Sequence, residues 1–183
     1  MYKRQVRSGS ILGDIQSGFI ANVGLNIFNK YVVDSIEGKS EDKSSILETE
    51  IKLDCYWGSS IPKSYIDADS ERIDIYKRLE HSEPNKVDEI KNEIIDRFGN
   101  VPEITDNLFS TAKIRSILQT KEILRCKIRE FQVELFPVDL TEDLKLSIEK
   151  FDKRFIFRNK RLVLNFQHSL TPESTYELLD SIL

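Results

Sequence analysis

The residues with the most chemical promise stand first in the chain. The stretch VRSGSILGDIQSGFIANVGLNIFNKY, residues 6–31, sets Gly9, Gly13 and Gly18 within ten positions, ahead of a helix-like run. Glycines at that density free backbone N–H groups to cradle a phosphate, but a phosphate loop also needs a Lys-Ser/Thr pair after its last glycine. Phe19 and Ile20 stand there instead. A dinucleotide-binding turn needs a buried strand before it, and the residues before Arg7 are mostly polar. From its residues alone, the cluster is a turn into a helix.

Other candidates are weaker. Asp67, Asp69, Glu71 and Asp74 bring together enough carboxylates for acid–base work, yet they straddle a predicted helix start, where the macrodipole favours them. Ser59 and Ser60 have no histidine close in sequence, and His81 falls at a predicted helix end. Cys55, Cys126, His81 and His168 are too few and too scattered for zinc. Tyr56, Trp57 and Tyr65 can stack bases, but a loop between a strand and a helix more often turns its aromatics into the core. Lys121, Arg125, Lys127 and Arg129 recur along a strand-like stretch beside Glu122 and Glu130, and read as a solvated strand face rather than a nucleic-acid groove. No catalytic residue and no metal ligand set emerges.

The elements that would position these groups follow from periodicity. Phe19, Val23, Ile27 and Tyr31 recur every four residues and predict a helix over 18–36. The polar run EGKSEDKSS, 37–45, predicts a linker and a domain boundary. A strand is expected near 49–57, then helices near 69–81, 84–98 and 102–120. Their inner faces are Ile73, Tyr76 and Leu79; Val87, Ile90, Ile94 and Phe98; and Ile104, Leu108, Ala112 and Leu118. Ser82 is the expected cap of the second, Gly99 its stop, and Pro102 opens the third. EILRCKI and EFQVELFP read as strands and TEDLKLSIEKF as a helix capped by Thr141. RFIFR and RLVLNFQ form a hairpin about Asn159-Lys160, and the last helix has Thr171 as cap and Pro172 at its first position. The expected class is α+β: a glycine turn and helix, a linker, then a helical half followed by a small antiparallel sheet with packed helices.

The 183 residues suffice for one substantial domain with an appended element. No apolar run approaches the ~20 residues of a membrane span, and Gly9, Asp14 and Gln16 interrupt any signal-peptide core. Two cysteines are too few for a disulfide framework, so a reducing cytoplasm is the expected setting. A net charge of −4 argues against a dedicated nucleic-acid-binding domain and leaves room for a local basic patch.

Two groups of motifs carry a family resemblance. GSILGDIQSGFIANVGLNIFNKY resembles the end of the second motor domain of bacterial transcription-repair coupling factors. IPKSYIDADSERIDIYKRL, then EIIDRFGNVPEITDNLFSTAKIR, resembles that family's C-terminal domain. Residues 9–120 carry the likeness well and the last third only in pattern. The glycine turn is shared with RecG helicases, whereas the order of IP..YI and DRFG..P is specific to the coupling factors.

The resemblance implies a parent that is an ATP-driven DNA translocase, which displaces stalled RNA polymerase and recruits nucleotide excision repair through UvrA. Its ATP and magnesium site, polymerase-binding module and UvrB-like module lie upstream of the matched segment, so no ATPase activity and no cofactor are expected of this chain. Gln16 matches the glutamine of the translocation motif, and Gly9, Gly13, Ser17 and Gly18 match its turn. The motif's arginine would fall at Val6, with Arg7 one place later. The implied organisation is the translocase tail at 6–36, the linker, and a C-terminal regulatory domain at 46–183. That domain would pack on the UvrB-like module and hide the surface that recruits UvrA. Residues 1–5 are expected to be a non-native leader, because the codon string GTG-TAT-AAG-AGA-CAG, which encodes MYKRQ, resembles the end of a transposon adapter used in sequencing libraries. The alternatives are a free-standing protein- or nucleic-acid-binding module and a RecG-like helicase tail.

Overall fold

The computed structural model of the chain describes residues 51–151 and 155–183. The expected leader, the predicted helix at 18–36, the linker, every expected domain boundary and the residues of the glycine motif (Arg7, Gly9, Gly13, Gln16, Ser17 and Gly18) lie outside the described residues.

The described chain runs β1 (Lys52–Asp54), α1 (Asp69–Glu80), α2 (Pro84–Phe98), α3 (Glu103–Thr120), β2 (Arg125–Arg129), β3 (Gln132–Phe136), α4 (Glu142–Phe151), β4 (Ile156–Arg158), β5 (Arg161–Asn165) and α5 (Pro172–Ile182). The class is α+β, as the alternation of helical and strand periods predicts. One pairing differs from the antiparallel sheet expected. The strands lie in the order β1-β2-β3-β5-β4, and β1 runs parallel to β2 while the other pairs are antiparallel. A parallel neighbour needs a long crossover connection, and α1, α2 and α3 supply it. Both halves of the sequence thus build one sheet.

Local signals account for most element ends. Asn159 and Lys160 both take positive φ, 51° and 60°, which turns β4 into β5 in the manner of a two-residue hairpin. Gly99, at φ 81°, stops α2. Thr171 and Ser174 form a reciprocal capping box at α5, with Pro172 in the first turn. Ser82 does not cap α2, because Glu83 occupies that place ahead of Pro84. The Ser82 hydroxyl instead donates back to the Arg78 carbonyl, closing α1. Pro102 sits just before α3 rather than inside it.

Two buried clusters share α3. Its first half, with Leu108, Phe109 and Ala112, joins Ile75, Tyr76, Leu79, Val87, Ile90 and Ile94 beneath α1 and α2. Its second half, with Ile114, Ile117 and Leu118, packs on Cys126, Ile128, Val133, Leu135, Leu162 and Leu164 of the sheet, with Leu178 and Leu179 of α5. A helix buried on nearly every side serves two cores at once. The inner face of α1 is centred on Ile75 and Arg72 rather than on Ile73, which is half-buried, and Ile104 of α3 is exposed rather than inward.

Candidate functional site

The segment between β1 and α1 holds the aromatic candidates, and the structure uses them as pins. Trp57 is buried in the sheet core and its Nε1 donates to Thr111 Oγ1 of α3 at 3.1 Å. The Tyr56 hydroxyl donates to the Leu170 carbonyl ahead of α5, and its ring meets Trp57 edge-on at 5.2 Å. The Tyr65 hydroxyl donates to the Gly99 carbonyl at 2.8 Å, with its ring edge-on to Phe98 at 6.2 Å. The two motifs IPKSYI and DRFGNVP therefore meet in space. Ile61 and Ile66 fill the helical core, Gly99 makes the turn, and Tyr65 closes one motif on the other.

Below that contact the backbone of the segment is fastened from two helices, α1 and α3. The Ser60 amide donates to the Ile104 carbonyl at 3.1 Å, the Thr105 hydroxyl to the Ser60 carbonyl at 2.9 Å, and the Ile61 amide to the Tyr76 hydroxyl at 2.8 Å. Burial pushes the Tyr76 hydroxyl up to about 12, so it stays protonated. Arg72, only 2% exposed, donates through Nη1 to the carbonyls of Ile66 at 2.6 Å and Asp67 at 2.9 Å, and through Nη2 to Asp69. A guanidinium fork suits several fixed acceptors at once. Ser60 is held there by its backbone.

The acidic candidates are each matched by a cation. Asp67 pairs with Lys63, Asp69 with Arg72, Glu71 with Arg97 and Asp74 with Arg78. Among the described residues no group of three or more His, Cys, Asp or Glu side chains is placed to hold a metal ion. Cys55 and Cys126 are free thiols; burial pushes Cys55 up to about 12 and Cys126 well above the ordinary thiol range. Both are kept as neutral thiols, the opposite of a nucleophile's environment. His81 ends α1, and His168 lies exposed, edge-on to Phe166 at 6.0 Å.

Two charged surfaces remain. The first is the helical layer, where ion pairs cross between helices: Arg78 to Glu93 at 3.0 Å, Arg97 to Glu71 at 2.6 Å and Lys113 to Asp88 at 2.6 Å, with Arg97 also reaching Glu93 along α2 at 3.5 Å. The Arg78 hydrogen bond, with help from Arg97, holds the Glu93 carboxyl below the usual carboxylate range. Both signs alternate here and largely satisfy each other.

The second is the sheet face turned away from the helices. Register places Lys52 and Asp54 of β1 beside Arg125 and Lys127 of β2, then Phe136 and Glu134 of β3, then Val163 and Ile156 of β5 and β4. Arg129, Arg158 and Arg161 keep the same parity. The expected solvated face of β2 is there, carrying Arg125, Lys127 and Arg129, but Lys121 is not on it. Lys121 lies past the end of α3, where its Nζ donates to the Leu183 carbonyl.

Residues 57–149, just over half of the chain, match the TRCF domain family. The chain is 31% identical over 133 residues to the transcription-repair-coupling factor of Bacillus subtilis, covering 67% of this chain and 11% of that protein. It is 36% identical over 114 residues to the one of Buchnera aphidicola, covering 60% and 14%. It thus spans about a tenth of the length of the curated relatives it matches. A crystal structure of the C-terminal domain of transcription-repair coupling factor superposes with a TM-score of 0.59 at 19% identity, over 75% of this chain and 93% of that one, which shows a shared fold. No helix among the described residues is long and apolar enough to cross a membrane.

Proposed function

Because this chain belongs to the TRCF domain family, we propose that it is the regulatory C-terminal part of a DNA translocase that couples repair to transcription. The parent would spend ATP to displace stalled RNA polymerase from DNA and recruit nucleotide excision repair. This part would contribute no hydrolysis of its own. Its role is to pack on the parent's UvrB-like module and cover the surface that UvrA needs, until the motor engages.

The observation that carries this reading is the cross-helix ion-pair lattice of α1, α2 and α3, inside the family-matched segment. A mask must be complementary and yet easily released, since a ligand shifts an equilibrium only by its differential affinity for the two states. Exposed pairs of alternating sign give a polar interface whose net worth per pair is small. That is the energetics of a reversible cover rather than of a permanent joint.

The test mixes the purified chain with the parent's UvrB-like module. Calorimetry is expected to show a weak one-to-one complex that added UvrA displaces, and an ATPase assay of the chain alone is expected to show no turnover. Saturating titration with no heat and no shift on a sizing column would overturn the masking role. Measurable ATP turnover would overturn the non-catalytic one.

A further inference from the structure

We propose that the open face of the sheet is a binding site for single-stranded nucleic acid, on a surface separate from the helical layer. The strands turn six cations to that face, Lys52, Arg125, Lys127, Arg129, Arg158 and Arg161, against two carboxylates, Asp54 and Glu134. Both carboxylates are already engaged, Asp54 with Arg129 at 2.6 Å and Glu134 with Arg161. Lys52, Arg125, Lys127 and Arg158 are exposed and have no ion-pair partner among the described residues. The chain as a whole carries −4, so the surplus of positive charge is local to this face.

A large hydrophobic side chain sits among those cations. Lys52 lies beside Arg125 on β1 and β2, Arg125 beside Phe136 on β3, and Arg161 beside Arg158 on β5 and β4. Phe136 is 39% exposed in the middle of that row, and Ile156 is 59% exposed nearby. A concavity of about 750 Å³ runs between them, lined by Arg125, Phe136, Ile156 and Arg158. At about 4.8 Å per strand, the five-stranded face extends roughly 19 Å, room for several nucleotides.

These features fit one ligand chemistry. Unpaired guanidinium and ammonium groups meet phosphates, and an exposed ring among them offers a platform for an unstacked base. A sheet face with aromatics is a recurring way to hold a single strand, whose bases are free to stack as those of a duplex are not. An acidic protein surface would satisfy the cations through charge alone, and polyglutamate stands in for it as a competitor. The site draws Lys52, Arg158 and Arg161 from outside the family-matched segment, and it does not depend on the masking role.

The test is fluorescence anisotropy of the full chain with labelled oligo-dT and oligo-rU of equal length, across a salt series, with polyglutamate as competitor. Four phosphate contacts predict a log–log salt slope of about −3, and Arg125→Gln and Lys127→Gln should each flatten it by about 0.7. Phe136→Leu, which keeps an apolar side chain and removes the ring, should weaken binding about tenfold at an unchanged slope. The two oligonucleotides separate DNA from RNA as the source of the strand. Absence of binding at 50 mM salt, a slope indifferent to both charge variants, or equal affinity for polyglutamate would each overturn the site. None of these outcomes bears on the complex with the UvrB-like module.

Discussion

Replacing Arg72 by methionine removes a buried cation while keeping most of its stem. The guanidinium serves three acceptors: the carbonyls of Ile66 and Asp67 and the carboxylate of Asp69. Their fates differ. The Asp69 side chain is 53% exposed and turns to water at little cost, and Asp67 is exposed as well. The Ile66 carbonyl is in a fully buried residue and loses its charged donor, worth about 1.5–3 kcal/mol. Adding a smaller loss at Asp67, and subtracting the desolvation penalty that methionine does not carry, leaves about 2 kcal/mol of destabilisation. With a urea slope of about 2 kcal/mol/M, the midpoint should fall by roughly 1 M, read by circular dichroism. Arg72→Lys should lie between, because a single ammonium cannot replace the fork. A fall of less than about 0.3 M for Arg72→Met would refute the claim that Arg72 anchors the segment to α1.

Two further outcomes follow from titrating groups. Glu93 has its folded pKa depressed by Arg78, so the pair's contribution is present above the unfolded carboxylate pKa and is lost as pH falls through the folded value. The stability gap between wild type and Arg78→Met should therefore close between pH 5 and pH 3, and a gap independent of pH would refute the pairing. Burial keeps Cys55 and Cys126 protonated, so the native chain at pH 8 should react with iodoacetamide about three orders of magnitude more slowly than in urea; a fast stoichiometric phase without denaturant would refute it.

What the sequence disclosed, and what it hid, divides by range. The stripe Val87, Ile90 and Ile94, the stop at Gly99 and the turn at Asn159-Lys160 are properties of a few consecutive residues, and the structure carries all three. The partner of β1 is not such a property, because alternation tells which side chains share a face but not which strand lies alongside. Arg72 reads as surface since arginine is seldom fully buried; its acceptors are backbone carbonyls, which have no signature in the sequence. Ser82 reads as a cap, and only the proline two places later decides otherwise. The basic face was half visible: Arg125, Lys127 and Arg129 declare themselves along β2, but Lys52, Arg158 and Arg161 reach them only through strand pairings, the longest joining Lys52 to Arg125. The motifs IPKSYI and DRFGNVP are recognisable because they make the loop-to-turn contact at Tyr65 and Gly99, and they mark a fold more directly than a reaction.

The ends of the sheet bear on how such an open surface survives in a crowded cell. Any exposed edge strand presents unpaired N–H and C=O groups on which a stray chain can add itself, the first step of fibre growth. Among the described residues both outermost strands, β1 and β4, are three residues long. Lys52 and Asp54 charge one and Arg158 charges the other. So brief and charged a margin gives an incoming strand little to zip along. The sheet can keep a broad face bare while its borders refuse recruitment into aggregates.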